Sequence, residues 1–176
     1  MSDTAAIMSL EEMLRAVPLF ADLMPADLDA LLASSRTFTA PVGMRIITEG
    51  DTGESMFVML RGAANVFVSK NGSKIQVATL RAGDCFGEMS LLTGEPRSAT
   101  VRADGDCYVM EIGKPVMGKV LTDAPSCMEQ LSQLLAQRRM KTEGILKEAK
   151  STDEHALTER QYTANFLQRL RTFFQL

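Results

Sequence analysis

The sequence predicts an α+β fold in which helical segments at both ends flank a middle region of short β-strands. Apolar residues recur at helical spacing before Ser35 and again after Gly113. The region between them consists of short apolar runs separated by turns that contain glycine. Many short strands at regular spacing indicate an antiparallel roll or sandwich, and not a parallel α/β sheet.

The composition is that of a globular protein with a buried core. The chain has 176 residues, of which 45% are hydrophobic and 23% are charged, which fits one domain with a terminal appendage. A net charge of −3 gives no general attraction to nucleic acid or to an anionic membrane. Three widely spaced cysteines indicate reduced thiols, and we expect a cytoplasmic location and no membrane contact. With a single histidine, we expect no metal site.

The first two regions of the chain are residues 1–35 and 36–113. In residues 1–35, one helix ends before Pro18 and a second begins near Pro25. Residues 36–113 contain six strand-like runs, MRIITE, ESMFVMLR, ANVFVSK, KIQVATL, ATVRA and CYVMEI. Asn71-Gly72 between two alternating runs is the strongest hairpin signal. Four methionines are predicted to fill the core: Met56, Met59, Met110 and Met117.

Helical patterns return in residues 114–150, and an amphipathic tail follows in residues 151–176. KPVMGKVLTD predicts a short helix, and Pro125 suits the first turn of a longer one. The apolar face of the tail is larger than a lone tail should leave in water. We therefore expect a docking or self-association helix, and a homo-oligomer, through Phe166, Leu167, Leu170, Phe173 and Phe174.

The stretch FGEMSLLTGEPRSAT, residues 86–100, places Glu88 and Arg97 among small residues. One interpretation is a surface ion pair across a turn. The other is a pocket for a small ligand, because EMSLL predicts a short helix whose N-terminus favours phosphate, and Arg97 adds a bidentate contact. Glu88 accepts hydrogen bonds only, so it would bind a hydroxyl such as a ribose 2′-OH, while Gly87 permits close approach. Together these features describe a site for a 3′,5′-cyclic nucleotide.

The same stretch resembles the phosphate-binding cassette of the cyclic nucleotide-binding domain family, and the resemblance extends from about Leu14 to Met140. It implies an eight-stranded antiparallel β roll of jelly-roll type, with helices on both sides and the last helix as a lid over the base. Glu88 would bind the ribose and Arg97 the phosphate. The arginine pair Arg138 and Arg139 is also typical of a solvated helix face, but in bacterial channel domains of the family an arginine near Arg138 lies over the base. The implied ligand-binding residues are Phe86, Gly87, Glu88, Met89, Ser90, Arg97, Ser98, Ala99 and Arg138.

The resemblance implies a sensor that binds cAMP or cGMP and passes a movement of the lid helix to an effector domain. In the family, a threonine at the position of Ser98 tends to accompany cGMP, so Ser98 favours cAMP. The ending LQRLRTFFQL resembles the tail of bacterial cyclic-nucleotide-regulated channels with a mechanosensitive-type core. The expected effector is therefore a channel pore that belongs to the same parent chain and lies in the inner membrane. A free-standing regulator is the alternative.

Two other functions involve the same ligand. A truncated catabolite-activator-type transcription regulator needs a helix-turn-helix and a basic face after the long helix, but residues 151–176 carry balanced charges. A phosphodiesterase needs a cluster of metal ligands or an activated nucleophile, and the sequence offers neither. We therefore expect no enzymatic activity and no nucleic acid partner.

Overall fold

The computed structural model describes residues 8–148 and 159–174, except for the side chains of residues 147, 148 and 173. The strands within these ranges are β1 (Arg36–Ala40), β2 (Arg45–Ile47), β3 (Ser55–Arg61), β4 (Ala63–Lys70), β5 (Ser73–Arg81), β6 (Cys85–Phe86), β7 (Thr100–Ala103) and β8 (Cys107–Gly113). The helices are α1 (Leu10–Arg15), α2 (Pro25–Ser34), α3 (Glu88–Thr93), α4 (Lys114–Asp123), α5 (Pro125–Glu148) and α6 (Glu159–Phe174). A 3-10 turn at Pro18–Phe20 separates α1 from α2.

The strands form two four-stranded antiparallel sheets with the orders β1-β8-β3-β6 and β2-β7-β4-β5. The predicted eight-stranded roll with flanking helices is therefore confirmed. The six apolar runs correspond to six of these strands, whereas β1 and β6 have no clear signal in the sequence. β1 is an edge strand whose RTFTA sequence is largely polar, and β6 has only two residues, so neither produces a readable apolar period.

Strand β3 lies between two parts of the core. Its side chains alternate: Met56, Val58 and Leu60 pack among the helices, and Phe57 and Met59 pack between the two sheets. Because both faces are covered, the strand reads as a continuous apolar run. The predicted core positions of the four methionines are confirmed, since Met56, Met59, Met110 and Met117 are all 0% exposed.

The predicted hairpin and helix starts are confirmed. Lys70 pairs with Ser73 across Asn71 and Gly72, which both have positive φ values (52° and 77°), as a two-residue type I′ turn requires. Helix α2 begins at Pro25 and α5 at Pro125. No helix in the described part of the chain is long and apolar enough to cross a membrane.

Helix α6 packs along α5 and also contacts α3. Its residues Phe166 and Leu170 are 6% and 1% exposed and belong to the core of the domain. A Cβ on Gly118 of α4 would come within 2.9 Å of the Phe174 ring, so that ring lies directly on α4. Of the two predicted roles, docking or self-association, the structure shows docking for Phe166 and Leu170, because the chain's own core covers them. These two residues are therefore not free for self-association. The side chain of Phe173 lies outside the described residues.

Candidate functional site

A cavity of about 300 Å³ lies between the β roll and α5, a size typical of small-molecule sites. At one end of the cavity, Lys70 of β4 donates a hydrogen bond of 2.6 Å to the carbonyl of Leu146, and this bond links the roll to α5. More basic than acidic side chains line the cavity, so its local charge is positive although the chain is negative overall. The basic residues are Arg97, Arg138, Arg139 and Lys141, and the acidic residues are Glu88 and Glu143.

Gly87 forms the corner between β6 and α3 and lies on the wall of the cavity. Its φ of 75° belongs to the left-handed region that favours glycine. A Cβ at this position would come within 2.8 Å of Ile47 Cδ1 and 2.9 Å of Arg97 Nη1. A residue without a side chain is therefore required both by the backbone and by the close approach of Arg97.

Arg97, near the end of the cassette, is only 7% exposed. Its Nη1 donates to the carbonyl oxygens of Ser55, at 2.8 Å, and Gly87, at 2.6 Å. Burial lowers the pKa of Arg97, and the negative charges of Glu111, Glu88 and Asp51 oppose this effect. A buried guanidinium held by neutral carbonyls still carries a positive charge, so it can bind an anion that enters the cavity.

Glu88, at the start of α3, is 3% exposed and points toward α5. Its Oε1 accepts a hydrogen bond of 2.9 Å from Nη1 of Arg138. Burial acts to lower the pKa of Arg138, but Glu88 and neighbouring groups outweigh that effect and raise it. Among the described residues, no donor contacts Oε2 of Glu88, which leaves an acceptor for a hydroxyl group.

Ser90 supplies a second polar group without a partner. Its hydroxyl is buried, and no described residue forms a hydrogen bond with it. Buried polar groups are normally hydrogen-bonded, and Ser90 lines the cavity. Ser90 therefore belongs to the wall of the cavity, although its hydroxyl oxygen is itself covered.

The same part of the chain matches a known family. Residues 38–123 match the family described as "Cyclic nucleotide-binding domain". Residues 38–123 therefore belong to the cyclic nucleotide-binding domain family.

Relatives of this cyclic nucleotide-binding domain include two curated proteins and a solved structure. The "cAMP-dependent protein kinase regulatory subunit" of Aspergillus niger is 32% identical over 120 residues, which are 68% of this chain and 29% of that protein. The "Cyclic nucleotide-gated potassium channel mll3241" of Mesorhizobium japonicum is 31% identical over 128 residues, 73% of this chain and 34% of that protein. A cyclic nucleotide-binding domain from Methylobacillus flagellatus superposes with a TM-score of 0.68 at 25% identity, covering 82% of this chain and 84% of the other. The chain thus spans about a third of the curated relatives' length or less.

All nine ligand-binding residues expected from the sequence line the cavity described above. Their contact with a ligand stays a prediction. Phe86 is buried, Ser98 is exposed at the rim, and Met89 and Ala99 are half-buried. Of the two interpretations of Arg138, a solvated helix face does not describe the structure, because its side chain is 30% exposed and paired with Glu88.

The sequence did not identify the remaining lining residues. On α5, Leu135, Thr142 and Leu146 share a face with Arg138 at intervals of three or four residues, and this spacing could have found them. Arg139, Lys141 and Glu143 of α5 also line the cavity. On the roll, inward-facing side chains complete the cavity, and they read only as core residues in the sequence: Ile47, Val66, Val68, Val77, Ala78, Leu80 and Val101.

Proposed function

We propose that this cyclic nucleotide-binding domain is a non-enzymatic sensor that binds cAMP in the cavity beneath α5. The observation that carries the proposal is that one cavity holds both the buried guanidinium of Arg97 and the buried carboxylate of Glu88. An anion satisfies the first group and a hydroxyl donor the second, and a cyclic nucleotide offers both. Arg97 would bind the cyclic phosphate, and Oε2 of Glu88 would accept the ribose 2′-OH.

The base would lie between the roll and α5. Val66 and Val77 on the roll and Leu135 on α5 offer apolar surface to a purine ring. Arg138 can stack on the ring, and the hydroxyl of Thr142 can bond to its edge. We propose cAMP as the ligand, with a modest preference over cGMP. Ser98 occupies the position at which a threonine tends to accompany cGMP in the family. The name of the Aspergillus relative, a cAMP-dependent regulatory subunit, supports the same choice.

The proposed effector is an ion-channel pore in the same parent chain, moved through α5. Support comes from the Mesorhizobium relative, a cyclic nucleotide-gated potassium channel in which the matching segment is 34% of a longer protein. The genomic sequence upstream of the Met1 codon tests this part. A continuous reading frame that encodes membrane helices supports it, and an in-frame stop codon just upstream contradicts it.

Calorimetric titration of the purified chain tests ligand binding. We expect one saturable site for cAMP, with cGMP binding within roughly tenfold of it, or about 1.4 kcal/mol. 5′-AMP is the control, because it keeps the base and ribose but carries a more highly charged, open phosphate. Absence of saturable heat with millimolar cAMP and cGMP would overturn the proposal, and equal affinity for 5′-AMP and cAMP would remove the cyclic phosphate from it.

A further inference from the structure

The guanidinium of Arg97 has only part of its hydrogen-bonding capacity left for a ligand. Both N–H groups of Nη1 are used by the carbonyls of Ser55 and Gly87, at 2.8 and 2.6 Å. One N–H of Nη2 faces the hydroxyl of Ser55 at 3.4 Å. The donors that remain are Nε and the other N–H of Nη2, which together form one side of the planar guanidinium fork. A phosphate can therefore bind in a bidentate manner only along that side.

Ser55 is itself held in place from behind. Its hydroxyl donates a 2.8 Å hydrogen bond to Oε1 of Glu111 on the neighbouring strand β8. The other oxygen of Glu111 accepts a 2.6 Å hydrogen bond from Arg36 on β1. Since the proton of the Ser55 hydroxyl points to Glu111, its lone pairs are free to face Nη2 of Arg97.

This arrangement forms a continuous chain of contacts from the cavity to the surface, through Arg97, Ser55, Glu111 and Arg36. We infer that Ser55 is a positioning residue that sets the plane of the Arg97 guanidinium for phosphate binding, and that Glu111 orients Ser55. The inference rests on the proposed function, because it assigns a role in the same phosphate site. Neither residue lines the cavity, so both act through Arg97.

Electrostatics alone predicts that Glu111 lowers the affinity for phosphate, whereas a positioning role predicts that Glu111 raises it. Its negative charge is foremost among the groups that oppose the effect of burial on the pKa of Arg97, so it lies close to the phosphate-binding side chain. A negative charge there repels an anionic ligand, and its removal by itself would raise phosphate affinity. Loss of positioning lowers that affinity. The sign of the change in Glu111→Ala therefore separates the two roles.

The experiment measures cAMP affinity and stereoselectivity for the phosphate in Ser55→Ala, Ser55→Thr and Glu111→Ala. We expect Ser55→Ala to weaken cAMP binding roughly threefold to tenfold, the size of one hydrogen bond, and Ser55→Thr to restore most of it. The affinity ratio of the two cAMP phosphorothioate diastereomers should shrink in Ser55→Ala, while the penalty for 2′-deoxy-cAMP stays constant. Ser69→Ala removes an exposed hydroxyl from β4 and is the matched control.

A measurement without nucleotide keeps this inference separate from the proposed function. Nuclear magnetic resonance of the Arg97 side chain reports rotation of its guanidinium group, which we expect to be slow in the wild type and faster in Ser55→Ala. If the wild type binds no cyclic nucleotide but this difference is present, the proposed function fails and the positioning role stands. Unchanged Arg97 rotation in Ser55→Ala, or tighter cAMP binding by Glu111→Ala, would overturn the inference.

Discussion

Nη1 of Arg138 lies 2.9 Å from Oε1 of Glu88, and this ion pair joins the lid helix α5 to the cassette. A carboxylate can accept several hydrogen bonds, so Oε2 of Glu88 can bind a ribose hydroxyl while Oε1 keeps its contact with Arg138. In the proposed complex, Glu88 would contact the nucleotide and the lid at the same time. Ligand binding and the position of α5 would therefore be linked through one side chain.

Replacement of Arg97 should remove the phosphate contact. We expect Arg97→Ala to weaken cAMP binding by roughly 2–3 kcal/mol, or about 30- to 150-fold, because a charge-assisted hydrogen bond is lost. Arg102→Ala is the matched control, since Arg102 is an exposed arginine of β7 that does not line the cavity. Calorimetry that gives the same affinity for wild type and Arg97→Ala would exclude Arg97 from the site.

The ribose contact can be tested by changing the ligand and the protein together. We expect 2′-deoxy-cAMP to bind the wild type less tightly than cAMP by about 1–3 kcal/mol, because Glu88 loses its hydroxyl donor. In Glu88→Gln that difference should become smaller, since the contact is already altered. Competition titrations that show an equal deoxy penalty in both proteins would mean that the 2′-OH binds elsewhere.

Gly53 is predicted to be essential for the site although it carries no side chain. A Cβ at this position would lie 2.1 Å from Nε of Arg97, so Gly53→Ala must displace the guanidinium. We expect a loss of at least roughly tenfold in cAMP affinity, about 1.4 kcal/mol. Gly105→Ala is the control, because a Cβ there meets no atom within 4 Å. Equal titration curves for the two variants would show that Arg97 tolerates displacement.

Helix α6 should contribute to the stability of the domain. Leu170 is 1% exposed in the core, so Leu170→Ala is expected to reduce the free energy of unfolding by about 2–4 kcal/mol. The neighbouring Arg171→Ala changes an exposed residue and should stay within about 0.5 kcal/mol of the wild type. Urea unfolding measures both values. If the two variants are equally stable, α6 is not docked as described.

The fold was largely predictable because the dominant signals are local. Glycine-marked turns, the Asn71-Gly72 hairpin and the proline-initiated helices all depend on short stretches of sequence, and the structure confirms them. The packing partner of α6 was not predictable, because an amphipathic face shows that a helix needs a partner but does not identify that partner. The structure supplies the partner from α5 and α3.

The candidate site was predictable where its residues are contiguous. Residues 86–100 carry the chemistry of the cassette within one segment, so their proximity could be predicted without knowledge of the fold. Ser55 and Glu111 are 42 and 14 positions from Arg97 in the sequence and join it only through the pairing of β3 with β8. The Glu88–Arg138 pair also joins residues that are 50 positions apart, so no local stretch of sequence indicates it.

The central claim is that a cyclic nucleotide fixes the position of α5 through Glu88 and Arg138. Spin labels on exposed positions of the roll and of α5, at Lys74→Cys and Met140→Cys, report the distance between these elements. The native thiols should not compete for the label, because Cys85, Cys107 and Cys127 are buried and burial raises the pKa of Cys127 to about 12.

Pulsed dipolar spectroscopy of this labelled protein, with and without saturating cAMP, is the most direct test. We expect cAMP to narrow the distance distribution to a single population in the wild type. The distribution should stay broad in Arg138→Ala, although that variant should lose less affinity than Arg97→Ala. Arg160→Ala is the control, because Arg160 is an exposed arginine of α6 that does not line the cavity and should leave closure intact. A wild-type distribution that saturating cAMP leaves unchanged would contradict the account.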